Sequence, residues 1–106
     1  MKKMIFLFAF LLLLCGCRNR NLSDEIYEDC KKTVEIVDDY LDKYITWDEA
    51  DDMIDEVDCN YDEDNEDELL VCIYVDGLKI DFNSPNKVTT SKLRESRNQL
   101  KKECGL

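Results

Sequence analysis

An uninterrupted apolar run near the amino terminus decides how much of this 106-residue chain can form a globular domain. The run extends from Met4 to Leu14 and follows Lys2 and Lys3. With 11 residues it is too short for a membrane-spanning helix, which needs about 20 apolar residues. A positive start followed by an apolar segment of this length is typical of a secretory signal sequence. We therefore predict that the first 16 residues are removed and that 90 residues remain to fold.

The run ends in the sequence Leu14-Cys15-Gly16-Cys17. This segment resembles the lipobox of bacterial lipoproteins, with Leu three positions before the cleavage site, a small residue just before it and Cys after it. The resemblance covers residues 1–17 only. It implies a signal peptide over residues 1–16 and attachment of a diacylglyceryl group to the thiol of Cys17, with a further fatty acyl chain such as palmitate on the new amino terminus.

The resemblance also implies a location for the protein. It places the chain on a bacterial cell membrane or outer membrane, anchored by lipid and facing the periplasm or the exterior. Residues 17–21 are then the lipidated cysteine and a short polar tether, and residues 22–106 are the folded domain. Arg18 and Arg20 follow the lipid directly, where each can contact anionic headgroups with about 1 kcal/mol. The membrane is therefore the first expected partner.

Four further cysteines predict two disulfides, because small exported domains commonly use them to compensate for a small core. Each bridge stabilises such a domain by about 2–4 kcal/mol. Three pairings are open, and an antiparallel arrangement of the first two predicted helices favours Cys30–Cys59 and Cys72–Cys104. Zinc is disfavoured because its cysteine ligands usually stand two to four residues apart. We predict no metal and no cofactor. The four are Cys30, Cys59, Cys72 and Cys104.

The spacing of apolar residues predicts three helices. The first covers Leu22–Ile45, with Ser23 or Asn21 as its cap. The second begins at the capping box formed by Thr46 and Glu49, continues to about Val57 and places Trp47 at its corner as a packing residue. The last is capped by Thr90 or Ser91 and ends at about Glu103.

Alternating apolar residues predict a β-hairpin before the last helix. Leu69–Val75 and Leu78–Phe82 flank Asp76-Gly77, a favoured two-residue hairpin turn. The predicted fold class is therefore α+β, with two helices, a two-stranded antiparallel β-hairpin and a C-terminal helix, stapled by two disulfides.

The charge distribution restricts the function. The net charge is −11, and loss of Lys2 and Lys3 with the signal peptide makes it −13. Such an acidic chain is unsuited to nucleic acid, whose phosphates it would repel. The chain also has no His, no phosphate-binding loop and no nucleophile paired with a base, so we predict that it is not an enzyme.

The acidic residues are concentrated in one segment. Tyr44–Leu78 contains 14 Asp and Glu residues and no Lys or Arg, and an exposed acidic loop is predicted within it. An anionic patch attracts cationic proteins and accelerates their association. We predict that this loop binds a cationic envelope protein, as an inhibitor or immunity-like protein would, with Tyr61 as the aromatic anchor. The predicted contact residues are Asp58, Tyr61, Asp62, Glu63, Asp64, Glu66, Asp67 and Glu68.

Two alternatives stay open. The basic residues 83–106 can neutralise the acidic segment within the fold, which would make the chain a purely structural envelope lipoprotein. Loose, millimolar-range calcium binding is the other alternative, because Asp58, Asn60, Asp62 and Asp64 alternate as in an EF-hand loop. That pattern then fails, since Glu63 occupies the glycine position and a leucine occupies the final glutamate position.

Overall fold

The computed structural model describes residues 18–106, so the predicted signal peptide and Cys17 lie outside the described residues. Over this span the chain forms four α-helices and no strand. None of the four combines the length and the apolar character that crossing a bilayer requires. The helices are α1 (Asp24–Leu41), α2 (Trp47–Asp55), α3 (Glu66–Asn83) and α4 (Thr90–Cys104).

The three long helices surround one core, and the short α2 packs on two of them. α1 and α3 begin at the same end of the molecule, because Ser23, the N-cap of α1, hydrogen-bonds to Glu68 in the first turn of α3. α4 runs in the opposite direction, since its last residue Cys104 is bonded to Cys30 near the start of α1. α2 contacts α1 and α3 but not α4.

The predicted β-hairpin is wrong, and the α+β class is wrong with it. A single helix, α3, spans both predicted strands. Its buried apolar residues Val71, Val75, Leu78 and Phe82 are spaced by three or four positions, which is the spacing of a helix face. A helix satisfies its own backbone hydrogen bonds, whereas a two-stranded hairpin leaves two open edges and is marginally stable by itself. The apolar faces of the other helices therefore gain a central partner.

The predicted helix starts are largely correct. Ser23 caps α1, and the predicted capping box at Thr46 and Glu49 is confirmed in both directions, with distances of 3.2 and 3.0 Å. α4 is capped by Thr89, one residue before the predicted cap. α1 ends four residues earlier than predicted, because Lys43 adopts a left-handed conformation (φ 66°) that turns the chain toward α2.

Two disulfides are confirmed, but the favoured pairing is wrong. The bonds are Cys30–Cys104 and Cys59–Cys72. The antiparallel course of α4 against α1 brings Cys104 to Cys30. The all-helical fold places the loop after α2 beside the start of α3, so that Cys59 meets Cys72. The favoured pairing took Cys30–Cys59 from an antiparallel arrangement of the first two helices. It took Cys72–Cys104 from a last helix lying across the outer face of the predicted hairpin, and that hairpin does not form.

An aromatic cluster fills the end of the core opposite Ser23. Trp47 is buried, which confirms its predicted packing role. Its indole N–H donates to the backbone carbonyl of Phe82 at 3.1 Å. Tyr40 completes the cluster, with its ring centroid 5.4 Å from Trp47 and 5.7 Å from Phe82, both edge to face. This contact fixes the start of α2 against the last residues of α3.

Candidate protein-binding surface

The predicted acidic loop forms the connection between α2 and α3. Most of its predicted contact residues are exposed, and Tyr61 is 39% exposed, so an aromatic side chain is accessible beside the carboxylates. The carboxylate of Asp62 accepts the backbone N–H of Asp64 at 3.0 Å, which holds the loop in a tight turn. The exposed members of the predicted set are Asp58, Tyr61, Asp62, Glu63, Asp64 and Glu66.

Glu68 does not belong to this exposed surface. It is only 4% exposed, and its carboxylate accepts the backbone N–H groups of Ser23 at 2.7 Å and Asp62 at 3.1 Å. Burial raises the pKa of Glu68, but these two hydrogen bonds and one from the Ser23 hydroxyl outweigh it and hold the pKa below its ordinary value. Glu68 therefore joins the start of α1 to the loop and is occupied within the fold.

Asp67 is also occupied, and its partners lie in the predicted tether. Its carboxylate accepts from the side-chain amides of Asn21 at 2.7 Å and Asn19 at 3.3 Å. Asn19 further donates its backbone N–H to the carbonyl of Cys104 at 2.9 Å. The segment after Cys17 is therefore fastened to the domain, and the acidic loop lies at the end where Cys17 would be attached.

A second acidic surface lies on α2 and was not singled out from the sequence. Asp48, Asp51, Asp52 and Asp55 occupy positions i, i+3, i+4 and i+7, which places them on one side of the helix. We call these four residues the α2 stripe. Burial, and then the carboxylates of Asp55, Asp52 and Asp48, raise the pKa of Asp51. The spacing of the four aspartates could have identified this surface before the structure was known.

One positive charge lies near the start of α2, because the Nζ atom of Lys87 is 5.9 Å from the centre of the Trp47 ring, but Lys87 forms no salt bridge in residues 18–106. Residues 18–106 contain three salt bridges, and none of them uses a carboxylate from Tyr44–Leu78. Because α4 does not contact α2, its basic residues do not neutralise the α2 stripe. The α2 stripe and the acidic loop are thus left without an ion-pair partner in the described part of the chain. The pairs are Arg18–Asp24, Lys92–Asp81 and Arg97–Asp38.

An open cleft lies beside the acidic loop. The cleft has a volume of about 540 Å³ and is lined by asparagine and carboxylate side chains. In the span from residue 18 to residue 106, however, no three Asp, Glu, Cys or His residues are placed to hold a metal ion. The cleft residues are Asn21, Asp62, Asp64, Asn65, Glu66 and Asp67.

Comparisons of the chain with protein-family models, with curated proteins and with solved structures give no match.

Proposed function

We propose that this chain is a lipid-anchored bacterial envelope protein that binds a cationic protein through its acidic surfaces, as an inhibitor or immunity-like protein would. The observation that carries this proposal is the absence of any salt bridge to the 14 acidic residues of Tyr44–Leu78 within the described structure. The lipid anchor rests on the residues around Cys17.

The electrostatics of the α2 stripe favour a positively charged ligand. The neighbours that shift Asp51 are all carboxylates, and one of its own oxygens, Oδ1, is buried without a hydrogen-bond partner in residues 18–106. Like charges held together reduce the stability of the fold. A Lys or Arg side chain from a partner would relieve this repulsion and accelerate association. The gain would be largest at low ionic strength.

The position of α2 makes it the better placed of the two acidic surfaces. Both ends of α2 contact the end of α3, because Trp47 bonds to Phe82 and Asp55 accepts from the side chain of Asn83 at 2.9 Å. α3 has 18 residues, which corresponds to about 27 Å. With lipid on Cys17, the acidic loop would lie next to the membrane, and α2 would lie at the opposite end of α3. We therefore assign the main docking role to the α2 stripe.

The test is capture of a partner from envelope extract with two matched variants. The α2 variant carries Asp48→Asn, Asp52→Asn and Asp55→Asn. The control carries Glu25→Gln, Glu28→Gln and Glu35→Gln, which remove three exposed acids from α1. We expect the wild type and the control to retain a basic protein that 0.5 M salt releases (about a threefold increase over physiological ionic strength).

The amount of partner captured by the α2 variant should be at least about tenfold lower, which corresponds to a loss of roughly 1.4 kcal/mol of binding free energy. Equal capture by both variants, or capture that salt does not weaken, contradicts the proposal. If capture is lost only when Glu63, Asp64 and Glu66 are changed, the partner binds the acidic loop and not the α2 stripe. The anchor is checked by the mass of the native protein, which should lack residues 1–16 and carry lipid on Cys17. A chain that still begins at Met1 without lipid contradicts the anchor.

A further inference from the structure

α3 carries an apolar stripe that no other part of the described chain covers. Leu69, Ile73 and Ile80 are 36%, 54% and 70% exposed. Their positions differ by four and seven residues, so they lie along one side of the helix, opposite its buried face. Gly77 lies on the same side between Ile73 and Ile80. We call these four residues the α3 stripe.

Gly77 is not explained by the fold of a single copy. It lies inside α3, its φ is not positive, and a Cβ atom added to it would meet nothing within 4 Å. Glycine in the middle of a helix is about 0.5–1 kcal/mol less favourable than alanine. A glycine on an exposed apolar face instead lets the backbone of a second helix approach closely.

We propose that the α3 stripe pairs with the α3 stripe of a second copy of this chain, in parallel. The place where Cys17 would join the domain favours a second copy as the partner of the α3 stripe. Asn19 is hydrogen-bonded to Cys104 and Asp67 beside the start of α3. A lipid on Cys17, two residues earlier in the chain, would therefore be attached near the start of α3. This step rests on the proposed lipid anchor at Cys17. Copies anchored in one membrane present α3 in the same direction and at the same height.

Because the two copies stand at the same height above the membrane, the α3 stripe of one copy lies beside the same residues of the other. In a parallel pair, Leu69, Ile73 and Ile80 each meet the same residue of the second copy, and the positions 69, 73, 76 and 80 follow the four-three-four spacing of a two-helix seam. Asp76 is the one charged residue at these positions. In a parallel pair Asp76 therefore faces Asp76 of the second copy, and this contact between like charges lowers the stability of the pair.

The expected association is weak in solution and stronger on the membrane. Three apolar side chains from each copy form a contact smaller than a stable dimer interface, and two acidic copies repel one another. Tethering to one membrane raises the effective concentration and compensates for this weakness. Salt screens the repulsion, so dimer formation should be retained or strengthened by salt that releases a cationic partner.

The test is photo-cross-linking of the full-length chain in native membranes. Ile80 is replaced by the photoreactive amino acid benzoylphenylalanine, and the matched control carries it at Tyr44, which is 79% exposed and lies off the α3 stripe. We expect illumination to yield a dimer band from position 80 whose cross-linked peptide contains the region around Ile80 of the second copy. The Tyr44 control should yield at least tenfold less dimer.

Two disrupting changes complete the experiment. Gly77→Leu and Ile73→Lys should each lower the dimer yield from position 80 at least tenfold, and circular dichroism should show that both variants stay helical. A missing dimer band, a cross-link to a different protein, a cross-link to the Leu69 region, or a yield that neither change lowers overturns the proposal. Lipid found on Cys17 without a dimer band means that only the dimer is wrong. An unlipidated Cys17 means that the anchor itself has failed.

Discussion

The carboxylate of Glu68 accepts the backbone N–H of Ser23 at 2.7 Å, across 45 residues of sequence. Ser23 is the N-cap of α1, and Glu68 lies in the first turn of α3. A second bond from the N–H of Asp62 ties the acidic loop to the same carboxylate. One buried side chain therefore positions the starts of two helices and the loop between α2 and α3.

Replacing this carboxylate should destabilise the whole fold. In Glu68→Gln, one of the two acceptor oxygens becomes an NH₂ group that faces a backbone donor. Loss of hydrogen bonds to a buried charged group lowers the free energy of unfolding by about 1.5–3 kcal/mol, which urea denaturation can measure. The control is Glu63→Gln in the exposed part of the loop, with an expected change within about 0.5 kcal/mol. Equal effects of the two changes would show that Glu68 has no such role.

The same group predicts a dependence of stability on pH. The folded state holds the pKa of Glu68 below its ordinary value of 4.5, because burial is outweighed by the hydrogen bonds from Ser23 and Asp62. A lowered pKa means that the folded state binds the proton more weakly than the unfolded state. The stabilisation is therefore fully present above pH 4.5 and is lost as the pH falls through the folded pKa.

Burial raises the pKa of Asp29 and of Asp51. Protonation of these two groups at low pH therefore favours the folded state, which is the opposite of the effect of Glu68. The informative quantity is therefore the difference in unfolding free energy between the wild type and Glu68→Gln. This difference should shrink steadily below pH 4.5. A difference that is independent of pH down to about pH 2, well below the usual carboxyl range, would contradict the assignment.

The two disulfides should differ in their contribution to stability. Cys30–Cys104 closes a loop of 74 residues and Cys59–Cys72 a loop of 13 residues. The loss of entropy in the unfolded chain grows with loop length and gives about 4.5 and 3 kcal/mol respectively. We expect Cys30→Ser with Cys104→Ser to lower the denaturation midpoint more than Cys59→Ser with Cys72→Ser. Peptide mapping without reduction should recover these two pairs, and recovery of Cys30–Cys59 would contradict the fold.

Gly77 offers a change that should stabilise a single copy. Gly77→Ala adds a methyl group where nothing lies within 4 Å, in a helix interior. The expected gain in unfolding free energy is about 0.5–1 kcal/mol, measured at a protein concentration low enough to avoid association. A loss of stability would mean that the position is constrained within the monomer after all, which would remove the main reason for placing a second helix there.

Local signals in the sequence determined the starts of α1, α2 and α4 and the use of the cysteines. The Thr46 and Glu49 side chains satisfy backbone donors within four residues, so the pattern alone predicted that helix start. Two disulfides followed from the even number of cysteines, and the packing role of Trp47 from its place at the helix corner. Each of these depends on neighbours in the chain or on the small size of the domain.

Tertiary contacts decided the rest. Leu69–Phe82 is apolar on nearly every side, so it fits both the two-residue period of a strand and the helical period of its buried face. Only the need of α1, α2 and α4 for a central partner selected the helix. The same contacts selected the cysteine pairs and buried Glu68, which the sequence presents as one more acid in an acidic run. Long-range packing cannot be read from periodicity, because it depends on faces that other segments supply.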